Sequence, residues 1–202
     1  MRHPLFSALL CSLVLAVSSA QANEVPTPIS RTQFTAAAAG EVLIEAQRGT
    51  PNRGQVIGFV AAPLADVVAI VIDTNTHSTW FPDTVESRTI ERNGSTGISS
   101  GVTHVPLLRD RTWTITGNHS RPRYNGVQCD LVEYDYVADS GNMNDLFGYW
   151  LMCPEGEGTV VKYVINADLG VWLPGAVVTW AQRRMLPGII SGLQARWTSL
   201  HS

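Results

Sequence analysis

From residue 84 to 168 the sequence is a run of strand-length segments: VESRTIER, ISSGVTHV, RTWTITGNH, VQCDLVEYDYV, FGYWLMC and TVVKYVINAD. Between them lie NGS, HSRPRYNG, DSGNMND and PEGEG, all rich in turn-forming residues. Sequential strands with such short links are expected to pair as an antiparallel meander. One face of that sheet is apolar and needs a cover. The end of the chain supplies it. After Pro174, the residues Val178, Ala181, Met185 and Ile189 form one apolar stripe, and Leu186, Ile190, Leu193 and Trp197 form a second beside it. Arg183, Ser191 and Gln194 fall on the polar side. Pro187-Gly188 predicts a kink, because proline in a helix interior loses a hydrogen bond at a cost of about 3 kcal/mol.

Ahead of the meander, EVLIEAQRG (41–49) alternates like a first strand. A helix follows from Pro63, with Leu64, Val67, Val68, Val71 and Ile72 on one stripe, and Trp80-Phe81-Pro82 makes a rigid apolar corner after it. Residues 23–40 read as a linker with a short helical turn. The predicted order is strand, helix, six strands, helix, in one α+β domain over 41–202. A chain of 202 residues that is 45% hydrophobic and 15% charged can build such a core.

Residues 1–22 read as a signal peptide. MRHP is a short basic start, LFSALLCSLVLAV is too short an apolar run to span a bilayer comfortably, and Ala20 and Ala22 are the small residues a signal peptidase needs. Cys11 lacks the small residues that precede a lipoprotein cysteine. The expected location is therefore periplasmic or secreted. Loss of Arg2 from 14 basic residues, against 17 acidic ones, leaves a net charge of about −4, which argues against nucleic acid as a partner.

The mature chain keeps Cys129 and Cys153, either as a disulfide or as two separate thiols. If the hairpin between them turns near 140–143, residues whose numbers sum to about 282 face each other, and this pair does. The register predicts a bond, with Cα atoms about 4.4–6.8 Å apart. A one-residue slip would put the thiols on opposite faces.

The stretch LLRDRTW (107–113) sets charges against an apolar strand. Alternation puts Trp113 and Ile115 on the inner face and Thr112, Thr114 and Thr116 on the wet one. Extended backwards, it turns Arg111 and Arg109 inward and Asp110 outward. An inward arginine needs a buried carboxylate, for which Glu86, Asp110 and Glu133 are candidates, or a cavity that holds water or a ligand head group. Arg111 has the further option of reaching water at the rim.

No HExxH, CxxC, P-loop, GxGxxG or GxSxG pattern is present, and no cofactor is expected. Asp73 and His77, one turn apart, read as a polar pair at a helix end. His104 and His119 lie on separate predicted strands without a third metal ligand. Asn93 and Asn118 head glycosylation sequons that matter only in a glycosylating host. What remains is wall material: Trp113, Tyr149, Trp150, Tyr163, Trp172, Trp180, Met185 and Ile189, each of which also suits ordinary core.

Taken in order, STWFPDTVESRTIERNG (78–94), PLLRDRTW, DSGNMN (139–144), WLMCPEGEGTVVKY and ADLGVWLPGAVV (167–178) resemble the START family, the steroidogenic-acute-regulatory-protein-related lipid transfer domains. The resemblance runs from about residue 41 to 200. It implies a helix-grip fold, a curved antiparallel sheet wrapped around a long C-terminal helix with an internal hydrophobic cavity. It also implies that Arg109 matches the arginine of the family's R-D motif, and that the 138–146 loop and the last helix form a gate. Arg111, directly after that motif, departs from the pattern. Three readings follow. One is a non-enzymatic carrier of a lipid or similar hydrophobic molecule, with transient membrane contact. The second is a helix-grip cyclase or hydrolase acting on a hydrophobic substrate. The third is a structural or partner-binding domain with a filled core, in which Arg109 is buried and paired. The carrier is preferred, and ligand is expected to stabilise the fold, since empty space costs about 24 cal/mol per Å³.

Overall fold

In the computed structural model, which describes residues 24–202, an eight-stranded antiparallel sheet holds a C-terminal helix in its curve. The signal peptide expected over residues 1–22, Cys11 included, lies outside the described residues. Helix α1 (Arg31–Ala38) starts at a reciprocal cap: Gln33 N donates to the Ser30 hydroxyl, and Ser30 N donates to the Gln33 side chain. Strands β1 (Leu43–Gln47) and β2 (Asn52–Val60) form a hairpin. Helix α2 (Leu64–Ile72) follows Pro63 and runs into a 3₁₀ helix (Thr74–Thr79). Then come β3 (Thr84–Asn93), β4 (Thr96–Thr103), β5 (Arg111–Ser120), the two-residue strands β6 (Arg123–Tyr124) and β7 (Val127–Gln128), β8 (Asp130–Tyr136), β9 (Asp145–Glu155) and β10 (Gly158–Asp168). Helix α3 (Gly175–His201) closes the chain.

The sheet order is β1-β2-β10-β9-β8-β5-β4-β3. The meander is as the sequence predicts, but the first hairpin docks its β2 antiparallel against the last strand, β10. Strand β2 is absent from the sequence reading. Its run QVIGFV is buried on both faces, so it lacks the alternation that marks a half-exposed strand.

Alternation sorts the side chains. On the concave side, Val56, Trp113, Tyr134, Trp150, Met152, Val161 and Tyr163 join α2 and the α3 residues Leu186, Ile189, Ile190 and Leu193 in one core. Helix α3 runs unbroken through Pro187. It approaches the Trp80-Phe81-Pro82 corner closely, since a Cβ on Gly192 would overlap the Trp80 carbonyl oxygen, and one on Gly188 would lie 3.0 Å from Pro82. Gln194 and Gln182, on the flanks of the helix, bind β2 and its end: the Gln194 side chain accepts from Ala61 N (2.7 Å), and that of Gln182 donates to Arg53 O (3.0 Å).

The convex side carries a second apolar layer, with Ile57, Leu131, Tyr149, Leu151, Val160 and Val164 packed under Ile29 and Ala37. Residues 24–40, expected as a linker, are therefore part of the domain. Glu24 accepts from Arg53 (2.8 Å). The buried Lys162 ammonium donates to Thr27 O (3.1 Å) and Oγ1 (2.8 Å). Cys129 and Cys153 are bonded on this face, with Cα atoms 4.4 Å apart, in the register that pairs Asp130 with Met152.

Candidate functional site

A cavity of about 220 Å³ lies between the concave face and the first half of α3. Its floor is aromatic. Trp150 and Tyr163, neighbours across β9 and β10, hold their ring centroids 4.3 Å apart, and Phe81 stands edge-on to both at 5.9 and 5.8 Å. Trp113, Ile115 and Tyr134 extend this floor, and Met185, Val178 and Trp180 of α3 form the roof. Trp180 is half exposed and Arg184 lies over its ring, so this edge of the cavity meets solvent.

The polar groups in the wall are mostly occupied by the protein itself. Trp113 Nε1 donates to Thr103 Oγ1 (2.9 Å). Tyr134 donates from its hydroxyl to Val164 O (2.9 Å) and lies 3.0 Å from the Tyr163 hydroxyl. Burial pushes both phenols upward, so they stay protonated. His77 holds Val71 O at 2.9 Å through Nε2, and burial lowers its affinity for a proton. At one rim His104 Nδ1 meets Asp110 Oδ1 at 2.9 Å. His119 is elsewhere, 2.6 Å from Asp130. Among the described residues, no cluster of three His, Cys, Asp or Glu could hold a metal, and no helix is long and apolar enough to cross a membrane.

Two buried lining atoms lack a hydrogen-bond partner, Gln182 Oε1 and Nε of Arg111, and of the two residues Arg111 is the charged one. It is 4% exposed, it lines the cavity, and its Nε is buried without a hydrogen-bond partner. No carboxylate among the described residues forms an ion pair with it. Arg109, the residue that the resemblance placed in the cavity, is exposed. The reason is local. Strand β5 begins at Arg111, and Leu107 takes a left-handed φ of 70° in the preceding loop, so the period of two cannot be carried back to position 109.

Of the remaining candidates, Trp113, Trp150, Tyr163, Trp180 and Met185 line the cavity. Tyr149 does not. Adjacent strand residues face opposite ways, and with Trp150 inward Tyr149 lies in the convex layer, its hydroxyl 3.3 Å from Thr27. Glu133 is displaced by the same rule: its neighbour Tyr134 points in, and Glu133 lines a polar groove on the other face with Glu91 and Asn118. Ile189 is fully buried in the core but is not part of the cavity wall. Trp172 is 85% exposed. Sequence reasoning missed Phe81, Tyr134, Leu146 and Ile165. Ile165 shares strand parity with Tyr163, which it did select, whereas Tyr134 has the parity opposite to Glu133, the β8 residue it named.

The 138–146 loop, implied as a gate, is tied down along β5. Asn142 donates from its backbone to Thr112 O (3.2 Å), its side chain accepts from Thr112 N (2.9 Å), and the Ser140 hydroxyl accepts from Thr114 N (3.2 Å). These bonds occupy the stretch of β5 that β8 does not reach, since their pairing starts at Ile115 and Tyr136.

A family model described as polyketide cyclase/dehydrase and lipid transport matches residues 60–194. No curated protein matches the chain. Among solved structures, a STAR-related lipid transfer protein from Xanthomonas axonopodis is similar at 16% identity and a TM-score of 0.66, over 78% of this chain and 93% of that one. Human StAR-related lipid transfer protein 5 is 16% identical, with a TM-score of 0.61, over 85% of this chain and 92% of its own. The Zhui aromatase/cyclase from Streptomyces sp. R1128 is 14% identical, with a TM-score of 0.58, over 72% and 93%.

Proposed function

Since the chain belongs to the polyketide cyclase/dehydrase and lipid transport family, whose helix-grip fold binds hydrophobic ligands, we propose that it is a non-enzymatic carrier for a lipid or similar small hydrophobic molecule. The cargo would lie between the sheet and α3 while crossing an aqueous space outside the cytoplasm, and membrane contact would be brief. The observation that carries this reading is the cavity wall, which is mainly aromatic and aliphatic and includes the buried Arg111, without an ion-pair partner among the described residues. Acid–base chemistry would need titratable groups that converge on a reacting atom. Here the phenols are held protonated and bonded to protein oxygen, and His77 is tied to a backbone carbonyl.

A second reading, an enzyme acting on a hydrophobic substrate, draws on the His104–Asp110 contact at the rim, where a carboxylate orients an imidazole. Native mass spectrometry of the purified protein, with lipid extraction and a vesicle-to-vesicle transfer assay, tests the carrier. A stoichiometric lipid and transfer that survives His104→Ala are expected. Chemical conversion of the bound molecule, lost in His104→Ala, would favour the enzyme.

A further inference from the structure

We propose that the cavity selects amphiphiles whose polar end is a single negative charge, a carboxylate or comparable oxyanion received by Arg111. This rests on the carrier reading above and specifies the class of cargo. An arginine side chain keeps its charge in proteins, and a buried charge without a partner is strongly unfavourable. Arg111 meets that description, with 4% exposure and an Nε that has no partner. The acids on neighbouring elements are otherwise placed. Asp110 faces His104, Glu133 lies on the opposite face of the sheet, and Glu86 is exposed on β3. Asp83, the acid on the lining, is exposed and forms no ion pair with Arg111. A guest oxyanion is therefore the group that completes the site, and the guanidinium fork can donate two parallel hydrogen bonds to it.

Position agrees with charge. Arg111 opens β5 at one side of the cavity, and Gln182 and Asn52 line the other, beside β2. In sheet order β2 and β5 are four strand spacings apart, on the order of 15–20 Å along the sheet. The side chains of Tyr134, Trp150 and Tyr163 lie between. The arrangement suits a head group at Arg111 and an apolar body laid across β8, β9 and β10.

The delipidated chain tests this with three probes of equal chain length: decanoate, decyl methyl phosphate and decan-1-ol. Dissociation constants by calorimetry should favour both anions over the alcohol by roughly tenfold or more, and their order tells carboxylate from phosphodiester. Arg111→Gln should abolish that preference while keeping the affinity for the alcohol, and Arg109→Gln should change neither. Without ligand, Arg111→Gln should melt above the wild type, because it removes an unpaired charge. Equal binding of alcohol and anions by the wild type would overturn the charge selection and leave the carrier standing. No binding of any probe would overturn both. An Arg111→Gln chain that fails to fold would mark the arginine as structural and overturn the proposal.

Discussion

Burial holds the His77 imidazole below its ordinary value of 6.5, against the opposing pull of the Val71 carbonyl and Asp73. The folded chain thus binds fewer protons than the unfolded one once pH falls below 6.5, and stability must decline from there downward. Melting temperatures over about pH 5 to 8 should show this decline, and His77→Gln should flatten it, at some cost in overall stability. A second expectation concerns the exposed arginine: Arg109→Ala should leave ligand affinity unchanged and stability within about 0.5 kcal/mol in chemical denaturation. Strand parity was legible wherever an element's ends were right, which is why Trp113, Trp150 and Tyr163 were found. It failed at Arg109 because the strand's start at Arg111 depends on a left-handed turn at Leu107 that no glycine or asparagine announces. Tyr149 and Glu133 were over-selections. Each sits beside a correctly inward neighbour, and a period of two forbids both of a pair.

At the scale of elements, the contact between α3 and the Trp80 corner depends on small residues. Gly192→Ala should push the helix off the Trp80 carbonyl and cost about 1–3 kcal/mol in urea denaturation. The β8–β9 hairpin is closed twice, by the Cys129–Cys153 bond and by the Asn142 and Ser140 contacts to β5. Replacing both cysteines by alanine should cost about 3 kcal/mol through the 24-residue separation that the bond spans. That register was readable because a short turn fixes the pairing sum. The loop's anchoring was not, since it depends on where β8 stops pairing with β5. Strand β2 was invisible for a different reason: a segment covered on both faces has no amphipathic signature.

For the whole molecule, the second layer matters as much as the cavity. Residues 24–40 cover the convex face, and their removal exposes Ile57, Leu151 and Val164 and takes the partners of Lys162 away. A chain starting at residue 41 should lose at least about 3 kcal/mol, and Lys162→Met should recover part of it, as read by denaturant midpoints. The sequence showed a meander clasping a terminal helix, but it could not show that the outer face is also roofed. Ala-rich α1 carries little periodicity, and its attachment through Glu24 and Thr27 rests on single polar residues. The three indoles of Trp113, Trp150 and Trp180 that border the hollow have an optical consequence. Cargo that enters displaces solvent from around them, so their ultraviolet emission should shift to shorter wavelength and change in intensity. Loading and release could then be timed in a stopped-flow fluorimeter on the unlabelled protein, with outward-facing Trp172 contributing a constant background.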